Sequence, residues 1–164
     1  MNCSPDLIVA GNVGEYKVHR IVILCLSPYF QKLFHYRSQS RDGYYRIDMN
    51  DVSDSSLVSI INFAYNGWID ITDDNVEELV ITADKYNIIP IIKRCQHYLW
   101  LRLDSENCFE IYLLSYFYNC YELMAKTEDY IIDNKLLDQI KDDSFQKKFT
   151  IERVLYEWHK RNNQ

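Results

Sequence analysis

Side chains able to do chemistry are spread along this 164-residue chain, and their spacing argues against catalysis. His19 has the side chain of a general base. A base works only when a nucleophile or substrate proton is held within hydrogen-bond reach, and no Ser or Cys nucleophile stands beside it in sequence. Asp73-Asp74 and Glu77-Glu78 look like paired carboxylates. They fall in the first turn of a predicted helix, where the helix dipole favours acids, so a structural explanation suffices. The five Cys make an odd count with no C-x-x-C pair, which is the pattern of buried reduced thiols. Cys95 and His97 are near neighbours, but two helical positions diverge by about 200°, so no zinc site is expected. None of the 4 Gly builds a phosphate-cradling loop. No cofactor is expected, and a hydrolase would need a nucleophile with a positioned His that the chain does not display.

The residues that remain are suited to binding. His19 to Phe34 joins a polar pair, the apolar run Ile21 to Leu26, a Ser27-Pro28 helix start and a second run ending in aromatics. Ser27 can cap a helix, and Pro28 at the first helical position needs no N–H partner. Tyr29, Phe30, Leu33 and Phe34 then fall at helical spacing. The two short helices carry more apolar surface than one buried face needs, which points to a binding surface. Arg37, Arg41 and Arg46 form a small basic cluster, read as solvated or facing an acidic partner.

The surrounding pattern supplies the scaffold. Asp6 to Ala10 and Gly14 to Val18 read as a hairpin turned at Gly11-Asn12. Tyr44 to Met49 alternates as a third strand. Asp51 or Ser53 caps a helix with Leu57, Ile60, Ile61, Ala64 and Tyr65 along one stripe, closed by a left-handed turn at Asn66-Gly67. Trp68 to Ile71 reads as a very short extended piece. A helix opening at Thr72 or Asp73 carries Val76, Leu79, Val80, Ala83 and Tyr86 and breaks at Asn87. Pro90 opens another, to about Leu103. Asp104 to Asn107 is a capping cluster, and helices are predicted over Phe109–Tyr118 and Tyr121–Asn134. Asp142-Asp143-Ser144 marks a break before a last amphipathic helix, Ile151 to Lys160, with Val154, Leu155 and Trp158 inward. The expected fold class is therefore α+β, a small sheet with helical hairpins followed by an all-helical segment.

Composition agrees with a packed protein. Apolar residues make up 48% and aromatics 15%, with 14 Tyr, a residue suited to interfaces as well as cores. The net charge of −6 argues against a nucleic-acid partner, whose phosphates need a basic face. There is no signal peptide and no membrane-spanning run. With unpaired thiols, these features lead to a reducing compartment, the cytoplasm or the nucleus.

Read in order, several segments resemble a BTB (POZ) domain followed by the start of a BACK domain. They are Asp6-Leu7-Ile8-Val9, Tyr16 to Arg20, Leu24 to Phe34, Ile47 to Val52, Phe63 to Gly67, Asn75 to Leu79, Ala83 to Tyr86, and Leu103 to Cys108. The combination is similar to BTB–BACK–Kelch proteins, with BTB over 1–103 and a partial BACK-like part over 104–164. The texture rich in Ile, Tyr and Asn resembles proteins of AT-rich genomes, including poxviral members of the family, which adds a host–virus setting to the expectations.

The resemblance implies a non-enzymatic module that binds the cullin-3 scaffold of ubiquitin ligases, as a substrate adaptor or as a decoy. Phe30, Phe34 and Tyr36 stand at the cullin contact, with Phe30 at the interface and Leu33 and Phe34 mostly inward. Tyr65, Lys85, Tyr86 and Asn87 complete that surface. For Tyr65 and Tyr86 an ordinary half-buried tyrosine is the alternative. His19 takes the place of a structural histidine. Asp6 and Arg20 align with a buried charged pair, against which stands the reading of two exposed charges.

Three departures accompany the match. About five residues precede the first strand, and they do not include the strand and helix that family members swap in dimers, which counts against an expectation of family-type dimerisation. The loop Arg37-Ser38-Gln39-Ser40-Arg41 lacks the hydrophobe and Glu that engage cullin-3 in the family. The 164 residues contain no Kelch repeats, as expected either of a fragment or of a protein without a substrate-binding propeller. The alternative function is BTB homo- or hetero-association, as homodimer or heterodimer, without cullin.

Overall fold

The apolar tetrad Leu7-Ile8-Val9-Ala10 forms the centre of the fold because it has no polar face to offer water. In the computed structural model, which describes residues 4–35, 39–40 and 42–136, all four are buried. They make up strand β1 (Leu7–Ala10), the middle of a three-stranded sheet ordered β2-β1-β3. Strand β2 (Glu15–Val18) returns antiparallel, with Leu7 opposite Val18 and Ala10 opposite Glu15. Strand β3 (Tyr45–Asp48) runs parallel to β1, with Leu7 opposite Tyr45 and Ala10 opposite Asp48. A parallel pair needs a crossover. Helices α1 (Arg20–Leu26) and α2 (Pro28–His35) provide it.

The remaining described helices are α3 (Asp54–Asn66), α4 (Val76–Lys85), α5 (Ile89–Leu101), α6 (Cys108–Phe117) and α7 (Tyr121–Asp133). Their ends follow local chemistry. Ser53 caps α3 by accepting the Ser56 N–H at 3.2 Å. Gly67 closes α3 at φ 69°, with its N–H on the Phe63 carbonyl, a left-handed conformation that a side chain resists. Asn87 and Asn119 end their segments at φ 52° and 54°.

Two expectations give way. Trp68 to Ile71 forms no strand; it is too short to pair, and it crosses the surface with Ile69 buried and Trp68 exposed. Helix α4 starts at Val76 rather than at Thr72 or Asp73. The Asn75 side chain accepts the Thr72 N–H at 2.9 Å and folds those residues into a turn first.

One core joins the sheet to α1–α5 and continues into α6 and α7 through Ile111, Cys120 and Leu123. A smaller cluster of Cys108, Phe109, Tyr112, Ile131 and Leu136 seals the α6–α7 hairpin. Cys95, Cys108 and Cys120 are buried, and burial pushes the Cys95 thiol up to about 12. Cys25, by contrast, is exposed, because α1 turns that side away from the sheet. Tyr36, Arg37, Ser38 and Arg41, the break at Asp142-Asp143-Ser144 and the expected helix from Ile151 lie outside the described residues.

Candidate protein-interaction surface

The Ser27-Pro28 start sets the direction of α2. The Ser27 hydroxyl accepts the Phe30 N–H at 3.4 Å, and the short helix then packs one row of side chains inward. Phe30 and Phe34, four residues apart, are 1% and 6% exposed. Phe34 meets Tyr45 of β3 edge-on at 5.7 Å. Phe30 stacks on Tyr86, with ring centroids 5.6 Å apart and planes 9° from parallel. Tyr29 closes the cluster edge-on to both rings, at 5.4 Å and 5.3 Å, and is 39% exposed.

The cluster corrects the sequence reading of α2. Phe30 is expected at the interface, but its ring is core, as is that of Tyr86; Phe34 faces inward, in line with the expectation for it. The row Phe30/Phe34 and the row Tyr29/Leu33 are equally apolar, so periodicity does not say which one faces in. The sheet and α4 decide it, and Tyr29 is the aromatic left facing solvent.

Polar contacts fix the other side of the cluster. The Tyr86 hydroxyl donates to Asp51 at 3.0 Å, and the Lys85 ammonium donates to the other Asp51 oxygen. Lys85 and Asn87 are exposed on either side of Tyr86. Asp51 therefore ties the turn before α3 to the end of α4. Lys85, with the Tyr86 hydroxyl helping, holds the Asp51 carboxyl below its ordinary value. Burial, then the Asp51 contact, pushes the Tyr86 phenol up, so it remains a neutral donor. Sequence reasoning missed Asp51 in this role and took it for a helix cap. Its signal was an acid left over once Ser53 had taken the cap.

Tyr65 lies in a second polar knot. Its ring is 44% exposed, but its hydroxyl accepts the His19 N–H at 2.8 Å and meets His19 Nδ1 at 2.8 Å. His19 and Tyr65 thus join the end of α3 to the β2–α1 junction. In a third knot, Asp6 accepts the Arg20 N–H at 2.7 Å and pairs with Arg20 Nε at 3.5 Å. The pair exists but is part-exposed, at 39% and 34%. The Asp6 carboxylate also takes over the cap of α1, where His19 contributes no side-chain cap. Arg20 rests on the Tyr45 ring at 4.3 Å. The structure thus joins Phe30, Lys85 and Tyr86, and it keeps Tyr65 and the Asp6–Arg20 pair in separate contacts.

Glu78 adds a pH-sensitive tether. Burial opposes its charge, but the Ser53 N–H at 2.9 Å and hydroxyl at 2.8 Å outweigh it and set its carboxyl below the ordinary range. A carboxyl whose folded pKa is depressed stabilises the fold above its unfolded pKa, and that contribution is lost as pH falls through the folded value. Melting temperature should therefore decline on acidification through and below the usual carboxylate range. Glu78→Gln and Asp51→Asn should each flatten that decline, Glu78→Gln the more because Asp51 is half exposed to screening solvent. Acid limbs that superimpose on the parent's would contradict these tethers.

Comparison with known proteins places this geometry. The BTB/POZ domain family profile matches residues 3–103. Kelch-like protein 8 of Caenorhabditis elegans is 32% identical over 128 residues, covering 78% of this chain and 18% of that protein. Kelch-like protein 41a of Danio rerio is 30% identical over 135 residues, covering 81% and 22%. The chain thus spans about a fifth of the length of these relatives. Among solved structures, the BTB domain of human gigaxonin superposes with a TM-score of 0.51 at 20% identity, over 58% of this chain and 77% of that one. The BTB domain of zebrafish PATZ1 gives 0.50 at 22%, over 57% and 74%. Both likenesses concern the fold. With the profile spanning the sheet and α1–α5, this chain belongs to the BTB/POZ domain family.

Proposed function

We propose that this chain binds the N-terminal domain of cullin-3 and acts as a ubiquitin-ligase adaptor or as a decoy that occupies the scaffold. BTB membership and the Kelch-like relatives support a protein-interaction role. The observation that carries the finer reading is the solvent-facing Tyr29, packed edge-on against the Phe30–Tyr86 stack, whose Tyr86 has exposed Lys85 and Asn87 on either side in sequence. A rigid aromatic flanked by polar groups loses little entropy on binding and suits a hot spot. Residues 104–164 serve in this reading as a partial BACK-like extension, and the protein works in a reducing compartment, cytoplasmic or nuclear.

The test is calorimetric titration of the chain with the cullin-3 N-terminal domain. Submicromolar binding is expected, weakened about tenfold or more by Tyr29→Ala combined with Lys85→Glu, with the melting curve still cooperative. No binding at about 10–100 μM would sink the proposal.

A second reading, association of BTB domains without cullin, has its own support. Ile21 is 64% exposed, and the exposed Cys25 lies one turn further along α1, which leaves an apolar strip on that helix. Light scattering of the same samples separates the two. A dimer lost on Ile21→Glu, together with no cullin binding, would favour association.

A further inference from the structure

Lys85 and Tyr29 of the proposed partner face both lead back to one carboxylate outside it, that of Asp51. One Asp51 oxygen accepts the Tyr86 hydroxyl at 3.0 Å, and the other pairs with the Lys85 ammonium. Tyr86 in turn stacks on Phe30 at 5.6 Å and meets the Tyr29 ring edge-on at 5.3 Å. Tyr86 is buried and Tyr29 is not. The solvent-facing ring therefore rests on a buried ring whose hydroxyl is anchored.

Two tethers join the turn before α3 to α4. Asp51 reaches Lys85 and Tyr86 at the end of α4, and Ser53 reaches Glu78 in its first turn. Both hold the elements together, but only the first touches residues of the face. The Lys stem is flexible and keeps one position only while its ammonium has a partner. Groups already ordered in the free protein lose less entropy when a partner binds.

We propose that, within the reading of this face as a cullin-3 site, Asp51 is its positioning residue: the carboxylate orders Lys85 and, through Tyr86, the Tyr29 ring before a partner arrives. Lys85, with the Tyr86 hydroxyl helping, lowers the Asp51 pKa, so the group is a carboxylate at neutral pH and accepts at both oxygens. The Asp51 and Lys85 side chains are 45% and 53% exposed. An ion pair this open adds little to stability, so the effect of Asp51 falls on the order of the face and on binding.

The test compares Asp51→Ala with Glu78→Gln, which cuts the other tether and touches no residue of the face. Ring currents from Phe30 and Tyr86 act on Tyr29 in the free chain, so its ring signals in an NMR spectrum, assigned through Tyr29→Phe, report its orientation. Asp51→Ala should move them toward those of an unstructured tyrosine, while the Phe34–Tyr45 pair keeps its shifts. In calorimetric titration with the cullin-3 N-terminal domain, Asp51→Ala should bind about tenfold more weakly, and Glu78→Gln should stay within about twofold of the parent. Unchanged Tyr29 signals in Asp51→Ala would overturn the proposal, whether or not cullin-3 binds. Undiminished binding by Asp51→Ala would do the same. So would equal weakening by Glu78→Gln, which would reduce Asp51 to a general tether of α4. A parent chain that does not bind, with Tyr29 signals that still respond to Asp51→Ala, would remove the cullin reading and uphold the ordering of Tyr29 by Asp51.

Discussion

Phe30→Ala will lower the stability of this protein by ~3–5 kcal/mol, in the range for an aromatic core truncation. The ring is 1% exposed and lies between Tyr86, stacked at 5.6 Å, and Tyr29, edge-on at 5.4 Å. Its removal opens a cavity that Tyr86 is poorly placed to fill, because the Tyr86 hydroxyl is held on Asp51. The aromatic pairs add to the loss beyond area alone. A domain of this size has ~5–15 kcal/mol in total, so part of the mutant sample will be unfolded at equilibrium. Chemical denaturation should show a lower midpoint with the slope unchanged. A midpoint within about 0.5 kcal/mol of the parent's would mean that the ring is not packed core. Loss of partner binding in this variant would therefore report unfolding, whereas Tyr29→Ala removes a ring that already faces solvent.

Gly11→Val should cost ~1–3 kcal/mol or somewhat more, the range for overpacking. A Cβ at Gly11 would lie 2.7 Å from Asp54 Oδ1 and 2.8 Å from Leu57 Cδ2. Leu57 is 0% exposed and has no space to move into. Asp54 accepts the Val13 N–H at 3.4 Å, so displacing it also loosens the β1–β2 turn. Gly11 is where the hairpin and the start of α3 touch, and a side chain there wedges them apart. Gly14, three residues on in the same turn, is the control. The nearest atom to a Cβ there is the Tyr16 hydroxyl oxygen at 4.0 Å, so Gly14→Ala should stay within about 0.5 kcal/mol of the parent. Thermal or denaturant midpoints decide it, and equal losses at the two positions would refute the contact.

Much of this protein was determined by sequence alone, wherever local chemistry dominates. Leu7–Ala10 ahead of the Gly11-Asn12 turn reads as a strand, Ser27-Pro28 as a helix start, and Asn66-Gly67 as the left-handed turn that ends α3. Those features, in order, carried the resemblance to a BTB domain that the profile match over residues 3–103 bears out. The tertiary structure decided what local spacing leaves degenerate. Two apolar rows on α2 were indistinguishable until the sheet and α4 claimed Phe30 and Phe34 and left Tyr29 outside. Asp51 found Lys85 and Tyr86 some 34 and 35 residues away, and Tyr65 found His19 across 46. Periodicity states that a side chain lies on a face; only packing between distant elements states which face meets water.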